Sequence, residues 1–187
     1  MEKSSTKIRR FLSVAVLGAL VLCCNSFATK IAPLEITEIY DNANIVAELR
    51  ILSFGISDST YLVVHTGEKK RLIQYTADMT TTLKGVKNGR ISFLSQTSLG
   101  ANLDYLVFLD DSPSYSLPVV AQSGYAAIQL DSISMKDGFY RSARIPSAFI
   151  TSPKEIPQEP GVTKRNEYSE YVWVKAESLL EFLKKSK

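Results

Sequence analysis

The sequence holds two cysteines in 187 residues, and both, Cys23 and Cys24, fall within its first 24 positions. It has a single histidine, His65, and a single tryptophan, Trp173. One imidazole excludes every mechanism that needs two. His65 sits in the apolar run Tyr61-Leu62-Val63-Val64-His65-Thr66 with no nucleophile and acid marked beside it, so it is read as an exposed strand-end residue. Internal repeats, low-complexity tracts and glycine-rich phosphate loops are also missing. Gly85, Gly100 and Gly124 read as turn glycines rather than a phosphate cradle.

An excess of charge is lacking as well, although the formal net charge is +3. Lys3, Lys7, Arg9 and Arg10 stand against Glu2 in residues 1–28, which leaves 18 basic and 18 acidic residues in the remainder. A neutral chain lacks the concentrated basic surface that displaces counterions from phosphates, so no nucleic-acid partner is expected. The short basic runs Lys69-Lys70-Arg71 and Lys84-Gly85-Val86-Lys87, with Tyr75 and Phe93 nearby, would suit an OB-fold platform for single strands. Neutral charge and export weigh against that platform, and solvated turns with a core aromatic are the default reading. Lys164-Arg165, Lys184, Lys185 and Lys187 are interspersed with acids and form no patch.

What is present first is a leader. Lys7, Arg9 and Arg10 form a positive segment, and Phe11 to Cys24 form an apolar run of 14 residues. Ser26-Phe27-Ala28 then supplies small residues where a signal peptidase reads, predicting cleavage before Thr29. The apolar run falls short of the roughly 20 residues that span a bilayer, so no integral membrane span is expected in the mature form. Lipidation at Cys23 or Cys24 is the alternative, but it requires a small residue where Leu22 or Cys23 stands. Cleavage after Ala28 leaves no thiol, hence no disulfide, thiol catalysis or cysteine metal site. The mature chain is expected to be periplasmic or secreted.

After the leader, period-two patterning dominates. Pro33 to Ala43 reads as a short helix, and Ile45 to Phe54 as a strand. Gly55 to Ser59 reads as a loop of turn formers, and Tyr61 to Thr66 as β-branched strand. Arg71 to Leu83 follows, its three threonines favouring extended backbone. Asn88-Gly89 is the sharpest hairpin signal, ahead of a strand over Arg90 to Gln96. Leu103 to Leu109 is nearly unbroken apolar sequence, the mark of a central strand covered on both faces. Pro118 to Gln122 and Tyr125 to Leu130 read as a pair around Ser123-Gly124, and Phe139 to Ile145 as a short edge strand. Four of the seven prolines lie at 146, 153, 157 and 160, which predicts a surface connection. Tyr171 to Val174 then reads as a strand and Ala176 to Lys185 as a helix with Leu179, Leu180 and Leu183 on its apolar face.

Several pieces resemble, in order, a pattern of secreted bacterial proteins. Ile39 through Leu49 echoes an opening helix and strand, and Tyr75 to Leu83-Lys84-Gly85 a long strand ending in Lys-Gly. Ile91-Ser92-Phe93 is similar to its partner strand, and Gly100 with Tyr105-Leu106-Val107-Phe108-Leu109 to a central block. Tyr115, Val119-Val120, Gly124 and Ile128 close the series. These proteins carry an OB-like barrel related to the netrin and tissue-inhibitor-of-metalloproteinase fold. The resemblance implies that fold. The eukaryotic inhibitors chelate zinc through an N-terminal cysteine, which a chain starting at Thr29 without cysteine does not have, so inhibition does not follow from the fold.

The expected architecture is therefore mainly β: an OB-like antiparallel β-barrel with short flanking helices at both ends. Residues 1–28 are the signal peptide, 29–145 the barrel domain, 146–170 a proline-rich connection, and 171–187 a strand and helix packed on the barrel. Asp104 with Asp110-Asp111 could hold a hard cation, but the spacing lacks the glycine-punctuated loop that presents alternate carboxylates. No catalytic, cofactor or metal-ligating residue is assigned and no cofactor is indicated. The leading expectation is a non-enzymatic exported module that binds a protein or envelope component. A protease-inhibitor-like protein acting through barrel loops and an unrecognised extracytoplasmic hydrolase are the alternatives. Two carboxylates, or His65 with a serine, in one pocket would favour the hydrolase; an exposed apolar patch would favour the binding module.

Overall fold

The computed structural model describes residues 35–85, 89–135, 138–149 and 171–185. The expected leader, its cleavage site and both cysteines lie outside them, as do Lys87, Asn88 and nearly all of the proline-rich connection. Within the described residues the chain is mainly β, with eight strands in one sheet and two helices.

Helix α1 spans Ile36–Asn42 and turns Ile36, Ile39 and Tyr40 into the core. Its first turn is closed by Glu38, whose carboxylate accepts the backbone N–H of Glu35 at 3.1 Å. At the other end Lys84 Nζ donates to the carbonyls of Tyr40 (3.2 Å) and Asp41 (2.8 Å), a cation on orphan C-terminal carbonyls. Helix α2, Ala176–Lys185, is the one the leucine spacing predicts. Ala176, Leu179 and Leu183 are buried, while Lys184 and Lys185 stay in solvent.

The strands are β1 (Ile45–Leu62), β2 (Lys69–Lys84), β3 (Gly89–Ser95), β4 (Asp104–Asp110), β5 (Val119–Val120), β6 (Ala127–Met135), β7 (Gly138–Pro146) and β8 (Tyr171–Lys175). β1 pairs antiparallel with β2 along one edge and, through Ile45 to Arg50, with β4 along the other. β2 pairs with β3, β3 meets β5, and β5 pairs with β4. The hydrogen-bonded neighbours thus run β1-β2-β3-β5-β4 and return to β1. Beyond β5, β6 follows the same edge of β4, and β7 and β8 extend the sheet from there.

Register shifts in the β1–β2 ladder at Val46/Ala47, Glu48/Leu49 and Ile51/Ser53 give β1 the local kinks and added twist of bulged strands. The core lies inside this turn of sheet. Tyr75, Phe93, Phe108, Leu106, Leu49 and Ile51 are fully buried there, with Tyr75 and Phe93 stacked at 5.4 Å between ring centroids. β4 has the character its apolar run predicts, with Tyr105 to Leu109 buried and neighbours on both edges.

Five expectations are corrected. Gly55 to Ser59 is not a loop: β1 runs through it to Leu62, with a bulge between Ile56 and Thr60 absorbing the turn formers. The turn instead spans residues 63–68, so Val63 to Thr66 is not strand; the amides of Thr66 and Gly67 both donate to Val63 O. Phe139 to Ile145 is not an edge strand, because β7 lies between β6 and β8. Pro118 to Gln122 and Tyr125 to Leu130 do not pair with each other. β5 and β6 lie in line along β4, with residues 122–125 looped out where Ala126 N donates to Ala121 O. The sheet is also not wholly antiparallel, since Leu94 of β3 meets Val119 of β5 in parallel. A two-residue strand reached through a loop carries no sequence signal for its direction.

Candidate functional site

Two surfaces carry side chains that the fold itself does not consume. The first is the far half of the β1–β2 hairpin. β4 leaves the edge of β1 at Arg50, and β3 leaves β2 at Ile73. Beyond those points the two strands continue as a ribbon paired only with each other. Ladder partners share a face, so Phe54 with Tyr75, Ile56 with Ile73, Thr60 with Arg71 and Leu62 with Lys69 lie on one side. Phe54 touches the core array through Tyr75, at 6.0 Å between centroids, yet is 61% exposed. Ile56 is 75% exposed and Leu62 58%. Leu52 and, in the turn, Val64 are exposed too. The opposite side is occupied: Leu72 is fully buried, and Tyr115 Oη donates to Thr60 O at 3.1 Å from the loop before β5.

The second surface is a pocket of 220 Å³ between the loop after β3, the loop-out at residues 122–125 and the outer strands. The first loop is pinned by two phenols. Tyr75 Oη accepts the Leu99 N–H and Tyr105 Oη accepts the Gly100 N–H, both at 2.8 Å. Thr97 Oγ1 donates to Gly124 O at 2.7 Å and ties it to the second loop. One wall holds Tyr105 of β4, Gln129 of β6 and Arg144 of β7, a row in register that continues to Trp173 of β8 outside the lining. The Arg144 guanidinium lies 3.9 Å from the Tyr171 ring centre and 5.8 Å from that of Trp173. Its Nε is buried with no acceptor among the described residues. Burial pushes the Tyr105 phenol up, while the Gly100 hydrogen bond opposes that shift.

The residues singled out in the sequence are dispersed. His65 is exposed in the ribbon turn and does not line the pocket. Asp104 and Asp110 are the two ends of β4, roughly 20 Å apart at strand rise. Asp104 is taken by Arg50, whose Nε and Nη2 hold its carboxylate side-on at 2.8 and 2.9 Å and well below the usual carboxylate range. Burial, with the Asp111 charge adding, pushes Asp110 up. No group of three metal-ligating side chains occurs among the described residues. Tyr75 and Phe93 are fully buried and offer bases no platform. Lys84 caps α1, whereas Lys69, Lys70 and Arg71 remain exposed on the ribbon.

Two of the three turn glycines do hold positive φ, Gly85 at 90° and Gly124 at 89°. Gly100 does not; a Cβ there would meet the Leu103 side chain at 2.6 Å, so its requirement is space. Sequence reasoning missed Arg144, Gln129 and Trp173 as a group because only the register of β6, β7 and β8 brings them together. It missed Phe54 and Ile56 as a surface because Gly55 and Ser57 read as a break. No helix among the described residues is long and apolar enough to cross a membrane. Comparison of the chain with models of known protein families, with curated proteins and with solved structures finds no match.

Proposed function

We propose that this chain is an exported, non-enzymatic binding module of a bacterial envelope, built on an OB-like barrel, and that its β1–β2 ribbon rests on an anionic lipid surface. The observation that carries the reading is the ribbon face. Phe54, Ile56 and Leu62 stand in water beside Lys69 and Arg71, with Lys70 exposed too, against two exposed acids, Asp58 in the bulge and Glu68 at the turn. Apolar side chains exposed together on a soluble domain mark an interaction surface. Cations set among them suit acyl chains below and anionic headgroups around, as in interfacial segments. The leader supports export, and the strand order β1-β2-β3-β5-β4-β1 supports the barrel. The netrin-like relation rests on the ordered motifs alone. The pocket is lined by no carboxylate and no histidine, which favours binding over hydrolysis.

The test is flotation of the exported protein, whose N-terminus is expected at Thr29, with lipid vesicles. Vesicles containing phosphatidylglycerol should carry the protein upward; pure phosphatidylcholine should not. Phe54→Ser with Ile56→Ser, and separately Lys69→Glu with Arg71→Glu, should each cut the bound fraction at least about tenfold with the circular dichroism unchanged. Equal binding to both vesicle types, no binding at all, or wild-type binding by the ribbon variants would overturn the assignment.

A further inference from the structure

The pocket beside Trp173 makes a second, independent prediction. Its lining includes one guanidinium and no carboxylate. Arg144 has no ion pair among the described residues, and its Nε lies buried without an acceptor among them, a donor that water or a ligand's acceptor would satisfy. The Tyr105 hydroxyl accepts from Gly100 N and donates to no described residue. The acid nearest in register, Asp131, accepts from Gln129 Nε2 at 2.7 Å and forms no ion pair with Arg144, though its charge reaches Tyr105. Tyr171 and Trp173 fix the guanidinium plane, which leaves it oriented rather than free to swing into solvent.

We propose that this pocket binds a small carboxylate, with Arg144 taking the carboxylate, Tyr105 donating to it, and Tyr125 at the rim covering the ligand's ring. One unpaired guanidinium balances one negative charge, whereas a phosphate dianion would remain half compensated. The chain already uses the same pairing elsewhere, where Arg50 holds Asp104 side-on. The volume, 220 Å³, is below the roughly 300–1,000 Å³ of sites for drug-sized ligands and limits the body to a single ring. Tyr125, 63% exposed at the edge, offers a flat face to an aromatic or sugar ring.

Trp173 is the only tryptophan in the chain and lies 5.8 Å from the Arg144 guanidinium, so its fluorescence reports on what Arg144 binds. The folded protein is titrated with benzoate, glucuronate, benzamide and inorganic phosphate. At least one of the two carboxylates should give a saturable change below about 10 mM, and which of them does so identifies the ring. Benzamide and phosphate should give none. Arg144→Gln should weaken binding at least about tenfold, with Arg144→Lys intermediate because it loses the planar fork. Both variants should keep the wild-type far-ultraviolet spectrum, and Phe54→Ser with Ile56→Ser should bind as wild type, separating this site from the ribbon. The proposal is overturned by no saturable response to either carboxylate, by an equal response to benzamide, by binding of phosphate alone, or by unchanged affinity in Arg144→Gln.

Discussion

Glu48 is 4% exposed, and Arg141 Nη2, from β7, lies 3.0 Å from its carboxylate. Burying that carboxylate costs several kcal/mol, which the pair offsets only while both members are present. Arg141→Met should therefore destabilise the fold by about 3 kcal/mol in urea titrations, and adding Glu48→Leu should restore most of the loss. Two other acids respond to pH in opposite senses. Asp104 is held low by Arg50, so it stabilises the fold above the ordinary carboxylate value and loses this as pH falls through its folded value. Asp110 is pushed up by burial, so its charge destabilises the fold above its raised value and that cost disappears on acidification. Asp104→Asn should lower the melting temperature at neutral pH and Asp110→Asn should raise it, with both differences closing at about pH 2. None of these roles was legible in the sequence. Asp104 and Asp110 read alike as members of one candidate cation set, and the arginine that distinguishes Asp104 lies 54 positions away.

Elements defined by local pattern were legible, namely α2 from its leucine spacing, β4 from its apolar run, and the end of β2 at Lys84-Gly85. Gly85 shows why that last signal is strong. Its φ is 90°, and a Cβ would stand 2.7 Å from Asn44 O, so shape and space both demand glycine. Gly85→Ala should cost about 2 kcal/mol or more by chemical denaturation. The loop after β3 behaves differently, because its geometry is imposed from the core. Tyr75 Oη accepts the buried Leu99 N–H, so Tyr75→Phe should leave that donor unpaired and cost about 1–3 kcal/mol with little change in packing. In the sequence Tyr75 reads as a strand residue, in the core or on a base-stacking platform; its hydroxyl acquires a role through a contact 24 positions away. The β1 extension was misread for a related reason. Gly55, Ser57 and Ser59 have turn chemistry, but a ladder to β2 that resumes across the bulge at Ile56/Thr60 outweighs propensity once Phe54 and Ile56 meet Tyr75 and Ile73 across it.

At the scale of the whole molecule, the sequence predicts an OB-like barrel, and the ring of strand pairings runs through β5, two residues whose partners lie in β3 and β4. No pattern marks so short a bridge. Its consequence is an uneven distribution of stability. β1 from Ile45 to Arg50 is flanked by β2 and β4, so opening it requires opening the ring. β1 from Ser53 to Leu62 has only β2 beside it and exposed apolar side chains on one face, which places it at the low end of local stability. Native-state hydrogen exchange should therefore find the amides of Tyr105 to Leu109 opening only with global unfolding. Those of residues 53–62 should exchange at least about a hundredfold faster. Anionic vesicles should slow exchange in the ribbon without altering β4, since a ligand that meets only the ribbon protects only what it covers. Ribbon amides as slow as those of β4 in the free protein would mean that this face is already covered, and that it is not the surface left for a partner.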